Sequence, residues 1–297
     1  WLGSNEADYM GPLLIDNHDK IYHNENIWNL IKQNLYRFDV IHLRKQYKKT
    51  IQFLKYINLS SSNNKNLKAY KSSLPNKWDD YFGNIKKKLR SDSRRQYRRL
   101  AKNGDVKFIY AGSLGLKSDI IKSMIIQKRR RYQEKGVLDL LANKENQHFY
   151  LGLNKLHSDK FKIHCTSLTV GDISVATHVG FYDDTTFYYL MPANEGIDWM
   201  KYSPGRLLLI ELLRWSIENK LKFFDFTIGG EAYKKDWTNL ETELFDSFKT
   251  VSIIGKFYIL ALHINSIKKK ISFIYNSWIL DSIKPKEKYK KWKQIKL

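Results

Sequence analysis

Apolar positions recur along this chain with two periods, and the texture changes from one to the other at 161. From 78 to 160 the spacing is helical. The run "WDDYFGNIKKKLRSDSRRQYRRLAKNGD" (78–105) predicts one or two helices, stopped by Asn103-Gly104 in a left-handed turn. "VKFIYAG" reads as a strand. Positions 117–136 form another helix, with Ser118 as N-cap and Gly136 as stop, and 146–160 a shorter one. From 161 the period drops to two. Three β-rich runs, joined by "VGD" and "YDDTT", predict antiparallel hairpins up to 196. A helix at 204–219, a strand at 222–229, the loop "GEAYKKDW" and a strand within 247–260 follow. Ahead of 78 the pattern gives a helix at 27–35, strands at 38–46 and 50–60, and a polar loop at 60–66. Beyond 261, apolar residues alternate with lysines in a helical tail that packs on the rest or lies on an anionic membrane. The fold class is α/β in the α+β sense: a mixed, mostly antiparallel sheet flanked by helices.

The helix at 204–219 opens oddly. Pro204 is costless at a first helical position, and Ser203 before it is a natural N-cap. Gly205 costs about 1 kcal/mol against alanine inside a helix. It makes sense where something must approach the backbone closely. A helix start offers free N–H groups and a positive dipole end, which suits a phosphate. The plainer reading is a turn and a cap.

The chain has 297 residues, ample for two domains. Lys and Arg number 52 against 30 Asp and Glu, a net charge of +22. That balance favours anionic partners (nucleic acid, membrane or phosphorylated ligands), although a lysine-rich base composition produces the same excess. Cys165 is the single cysteine and reads as a buried small hydrophobe in a reducing compartment. No run of about eighteen or more apolar residues exists to span a membrane, and no signal-peptide pattern is evident. The expected location is cytoplasmic, with peripheral contact at the inner membrane face as a variant. No metal-ligand spacing, Walker loop or dinucleotide fingerprint appears, so no metal is expected.

The block "KYSPGRLLLIELLRWSIENKLKFFDFTIGGEAYKKDW" (201–237) strongly resembles the CelD/BcsL-like GNAT acyltransferases, a branch allied to the FemABX peptidyltransferases. "YYLMPAN", "DYMGPLL" and the basic run from Ser73 to Phe108 fit the same family. The resemblance implies tandem GNAT-like domains. The first spans 1–145 with the basic helices, and the second spans 146–260 with the acyl-donor cleft. A basic helical tail, 261–297, completes the chain. It implies transfer of an acyl group from acetyl-CoA or another acyl-CoA to an amine or hydroxyl of a small acceptor, such as an amino sugar of a surface-polysaccharide precursor. The phosphate turn has a single glycine where the GNAT pattern has two. An acyl carrier protein or aminoacyl-tRNA therefore stays open as donor. A FemABX-like, tRNA-dependent peptidyltransferase is the alternative enzyme, and a non-enzymatic basic adaptor for membrane or nucleic acid is the third reading.

Ser203, Gly205, Arg206 and Leu207 are the candidate phosphate-binding residues. Asp225, on a strand between Phe224 and Phe226, is either a desolvated base with a raised pKa or a structural carboxylate pairing with a lysine. Glu231, Tyr233 and Lys234 carry chemistry in a glycine-led loop. By resemblance, Lys234 steadies the carbonyl oxyanion and Tyr233 positions substrate or protonates the thiolate. His178 and Glu195 are second-rank bases, His178 equally a core residue. Tyr188 lines the cleft or packs the core. Arg94, Arg95 and Arg98, on a helix crowded with cations, are the candidate contacts to an anionic acceptor; a solvated face is the alternative.

Overall fold

The structure is a computed structural model and describes residues 8–10, 33–34, 37–48, 60–156, 158–262 and 264. The helix expected at 27–35, the strand at 50–60 and the tail past 264 lie essentially outside the described residues. The chain forms two compact units. One comprises Met10–Asn63 and Phe245–Leu297, the other Leu2–Tyr9 and Asn64–Leu244, with Trp1 counted in the first. Position 145, the domain boundary that the resemblance implies, falls within the larger unit.

In the smaller unit, β1 (Val40–Gln46) pairs antiparallel with the 245–250 half of β8 (Leu240–Thr250). The strand expected over 247–260 therefore begins earlier and ends at Thr250. Helix follows from 253, because Ser252 Oγ accepts the Gly255 N–H and caps it.

The larger unit carries the rest of the sheet, in the order β8, β2 (Ser60–Ser73), β7 (Phe223–Ile228), β6 (Thr186–Asn194), β5 (Ile173–Tyr182), β4 (Lys162–Val170), β3 (Val106–Tyr110). Of the pairings described, only β6–β7 is parallel. The three β-rich runs pair antiparallel, as their turns predicted. Asp183 fixes the β5–β6 turn by accepting the Thr185 and Thr186 N–H groups. The Ser/Asn-rich stretch from 60 is strand, not loop. Its place between β7 and β8 supplies ladder partners that override weak intrinsic preference.

The helices of the larger unit are α1 (Trp78–Asn84), α2 (Lys87–Leu100), α3 (Leu114–Lys135), α4 (Lys144–Gly152), the short α5 (Ile197–Met200) and α6 (Pro204–Glu218). α3 starts earlier than its pattern suggested. Its cap is Ser113, whose hydroxyl accepts the Leu116 N–H, rather than Ser118. It ends as expected at Gly136, at φ +61°. Gly104 departs from the left-handed stop. It sits at φ +148°, ψ −177°, while Asn103 Nδ2 donates to the Arg99 and Leu100 carbonyls and closes α2.

Two hydrophobic clusters form in this unit. α6 buries Leu207, Leu208, Leu212, Leu213 and Ile217 against Phe187, Phe224 and Phe226, each fully buried side chain contributing about 1.5–3 kcal/mol. α3 buries Ile121, Met124 and Ile125 against Ile163, Cys165 and Val179. Cys165 is buried, and burial pushes its thiol up to about 12, so it packs as a small hydrophobe. Among the described residues no helix is long and apolar enough to cross a membrane.

Candidate functional site

The parallel pair β6–β7 holds for three residues on each strand and then parts. Thr186, Phe187 and Tyr188 face Phe223, Phe224 and Asp225. No pairing continues between the rest of β6 and the end of β7. The cause lies in β7. Between Asp225 and Thr227 its register against β2 slips by one residue, and Thr227 takes a left-handed φ of +58°. Such a bulge kinks a strand away from its neighbour. The sheet opens there, and the start of α6 follows the end of β6.

Asp225 holds that bulge. It is 1% exposed. Its Oδ1 accepts the Thr227 N–H at 2.8 Å and the Tyr9 hydroxyl at 2.7 Å, and its Oδ2 lies 3.2 Å from Lys71 Nζ. Of the two readings open in the sequence, the paired structural carboxylate is the one this geometry matches. Phe224 and Phe226 beside it are fully buried, so β7 is covered on both faces.

At the start of α6, Ser203 is the cap residue by position but not by chemistry. It sits at φ +53°, ψ +50°, and its side chain makes no cap bond. Its carbonyl accepts the N–H groups of Arg206 and Leu207. Those two donors are engaged, and the Leu207 side chain is core. The Gly205 N–H makes no backbone bond among the described residues. A Cβ on Gly205 would stand 2.4 Å from Asn194 Oδ1. That oxygen and Arg206 Nε are both buried without a hydrogen-bond partner. The groups left to hold an anion here are the Gly205 N–H, the Arg206 guanidinium and the Ser203 hydroxyl.

The loop after β7 folds as a 3₁₀ turn, Ala232–Asp236. It turns Lys234 inward to 4% exposure, where Nζ donates to the Ile228 carbonyl at 2.7 Å and lies 3.1 Å from Glu231 Oε2. Gly229, at φ +137°, makes the close approach possible. A Cβ there would meet Glu231 Oε2 at 2.2 Å and Lys234 Nζ at 2.8 Å. Glu231 itself is largely exposed. Tyr233 is held above the ordinary phenol range by burial and then by the Glu231 charge, so it stays protonated and able to donate.

One member of this cluster escaped sequence reasoning. Lys128 of α3 is half-buried, and burial pushes its amine down to about 8; Glu231 opposes the shift, and Lys135 and Lys234 add to it. It lies in the cation-rich run "QKRRRYQEKG" (127–136), where a solvated lysine is the plain expectation. Helical spacing was the available signal: 121, 124, 125 and 128 fall on one face, and the first three are core.

The remaining candidates are otherwise employed. His178 is fully buried, both ring nitrogens lack partners, and its ring stacks on Tyr189 at 4.7 Å. Burial, then His164 and Lys128, push its pKa well down, so it is a neutral core imidazole. Glu195 pairs with Arg130 and accepts the Gly196 N–H. Burial pushes its carboxyl up, but these partners hold it below the usual range. Tyr188 donates to Asp183 in the β5–β6 turn at 3.0 Å. On α2, Arg95 pairs with Asp92 at 2.7 Å, whereas Arg94 and Arg98 line a cavity beside α6. Among the described residues no group of three or more His, Cys, Asp or Glu gathers as for a metal.

A parted pair of parallel strands beside a glycine-bearing helix start is the setting of one known family, and its model matches residues 87–235, half of the chain. The chain belongs to the acetyltransferase (GNAT) domain family. It is thereby a GNAT-type acyltransferase. No curated protein matches it in sequence. Among solved structures, FemX is similar at 11% identity and a TM-score of 0.55, over 77% of this chain and 78% of that one. L-PGS from Bacillus licheniformis is similar at 10% identity and 0.51, over 80% and 75%. At such identities the likeness is one of fold, and it sets the GNAT sheet described above in a known architecture.

Proposed function

We propose that this chain transfers an acyl group from acyl-CoA to the amine of a small acceptor, in the manner of the CelD/BcsL-like branch it resembles. The observation that carries the reading is the open seam between β6 and β7. It is flanked by Gly205 and Arg206 on one side and by Lys234, Glu231, Tyr233 and Lys128 near the end of β7. Gly205 N–H, Arg206 and Ser203 hold the donor phosphates. In the reaction, the acceptor nitrogen bonds to the thioester carbonyl carbon, the C–S bond breaks, the nitrogen gives up a proton, and the thiolate takes one. The acceptor reacts as the neutral amine, and Lys128, with an appreciable neutral fraction near pH 8, receives the one proton the acceptor nitrogen loses on forming the amide. Tyr233, firmly protonated, supplies the thiolate. Lys234 offers a fixed positive charge where the carbonyl oxygen gains negative charge.

The deciding experiment measures free-thiol release from acetyl-CoA and longer acyl-CoAs with a panel of amino-sugar acceptors, for wild type and Gly205→Trp. Acceptor-dependent release that the variant loses supports the reading, and chain length ranks the donors. No release with any acyl-CoA overturns it, and acyl carrier protein and aminoacyl-tRNA become the donors to assay.

A further inference from the structure

A cavity of about 980 Å³ opens between α1, α2, α6 and β3. One wall is aromatic. Trp78 and Phe82 stack with centroids 5.0 Å apart and planes 19° from parallel, and Tyr97 and Phe108 extend the surface. The polar side is cationic. Arg94 lies 5.9 Å from the Phe82 ring centroid and Arg214 5.2 Å from that of Trp78, with Arg98 one helical turn beyond Arg94. Arg94 and Arg98 make no ion pair among the described residues. Two carboxylates also face the cavity, Asp79 and Glu211. Glu211 is engaged: it accepts the Tyr110 hydroxyl at 2.7 Å and lies 3.7 Å from Arg214. Flat apolar walls and planar guanidinium forks, side by side, suit a ligand that is flat and apolar at one end and polyanionic at the other.

We propose that this cavity is a nucleoside-phosphate site, with the base against the Trp78–Phe82 wall and the phosphates on Arg94 and Arg98. The assignment does not depend on the donor proposed above, because it rests on the cavity alone. Two sources supply this chemistry: the nucleotide end of a donor, since Leu207 of the first turn of α6 lines the cavity, or a nucleotide-activated acceptor. α2 shows why only some of its arginines serve. Ser91, Arg94 and Arg98 share one face and line the cavity, whereas Arg95 is paired with Asp92 and does not.

Isothermal titration of the full chain at low salt tests this, with adenosine 3′,5′-bisphosphate as the donor-end probe, uridine 5′-diphosphate as the acceptor probe, and pyrophosphate alone. At least one nucleotide binds more tightly than pyrophosphate. Arg94→Ala and Arg98→Ala each weaken it about tenfold or more, and Arg95→Ala changes it less than about twofold. Trp78→Ala, checked for folding by its melting temperature, removes the preference over pyrophosphate. Preference for the adenosine probe assigns the site to the donor, and preference for uridine to the acceptor. The proposal is overturned if neither nucleotide binds, if pyrophosphate binds as well as both, or if Arg95→Ala costs as much as Arg94→Ala. None of these titrations involves turnover, so failure here leaves the acyl-transfer reading standing, and failure of that reading leaves this one.

Discussion

Lys234 donates to the carbonyl oxygen of Ile228, the last residue of β7, at 2.7 Å. The bond ties the 3₁₀ turn to the strand end and holds a buried lysine nitrogen there. Lys234→Met keeps the stem but removes donor and charge. It leaves a part-buried carbonyl and Glu231 without their partner, a loss of about 1–3 kcal/mol. A melting temperature lowered by several degrees is expected, together with a rate loss of about a hundredfold that a charge-retaining Lys234→Arg recovers in part. Melting curves and thiol-release rates on the same samples check both.

Lys128 sets the pH dependence. Its amine is lowered by burial to about 8 from an ordinary 10.5. Below 8 it is charged and cannot accept a proton, so the acyl-transfer rate rises with pH up to about 8 and then levels. Lys128→Met should lower the rate and remove that inflection. Stability follows the same linkage. Between 8 and 10.5 the unfolded chain binds the proton that the folded chain has lost, so stability rises with pH across that window. Lys128→Met lacks that rise. A melting temperature of wild type flat from pH 8 to 10.5 would count against it.

Asp225 is expected to matter for folding more than for proton transfer. Asp225→Asn keeps an oxygen for the Thr227 N–H and the Tyr9 hydroxyl and loses only the charge facing Lys71. Its rate should stay within about threefold of wild type, under 1 kcal/mol of barrier. Asp225→Ala strands both donors and costs roughly 2–4 kcal/mol. Chemical denaturation separates the two variants, and an inactive but fully stable Asp225→Asn would restore it as a base.

Gly205 and Asn194 should be coupled. An alanine methyl at 205 has Asn194 Oδ1 in its place. Gly205→Ala alone destabilises and weakens the donor. Asn194→Ala in the same chain makes room, with a coupling of about 0.5–3 kcal/mol expected in a double-mutant cycle. Simple additivity would mean the two do not touch.

Much of this was legible along the chain. The hairpins at 161–196 declared themselves because Gly171 and Asp183 are local turn devices, and α6 because Pro204 and a leucine stripe need no tertiary help. Ser60–Asn66 was not legible, since polar residues become a strand only through partners far away in sequence. Ser203 looked like a cap, but its left-handed backbone turns the hydroxyl away from that duty. The site divided in the same way. Lys234 stood out only through the resemblance, since its own segment gives no sign of its burial, which the turn at Gly229 explains. His178 was open to both a base and a core reading, and nothing in its own segment revealed the Tyr189 ring lying flat on it. Lys128 was hidden among its charged neighbours, although its helical phase gave it away.

The parting of β6 from β7 leaves two open strand edges inside a sheet. Met191–Asn194 pair with β5 on one side, and Thr227 and Ile228 with β2; no strand faces them on the other, and of the β7 groups the Thr227 N–H is already taken by Asp225 and the Ile228 carbonyl by Lys234. An extended ligand chain bearing alternating amide donors and acceptors completes the β6 edge as an added strand would. Occupancy of the seam then registers in the backbone itself. Those amides of Met191–Asn194 that do not pair with β5 slow their exchange with solvent when the groove is filled, whichever acyl group the ligand carries.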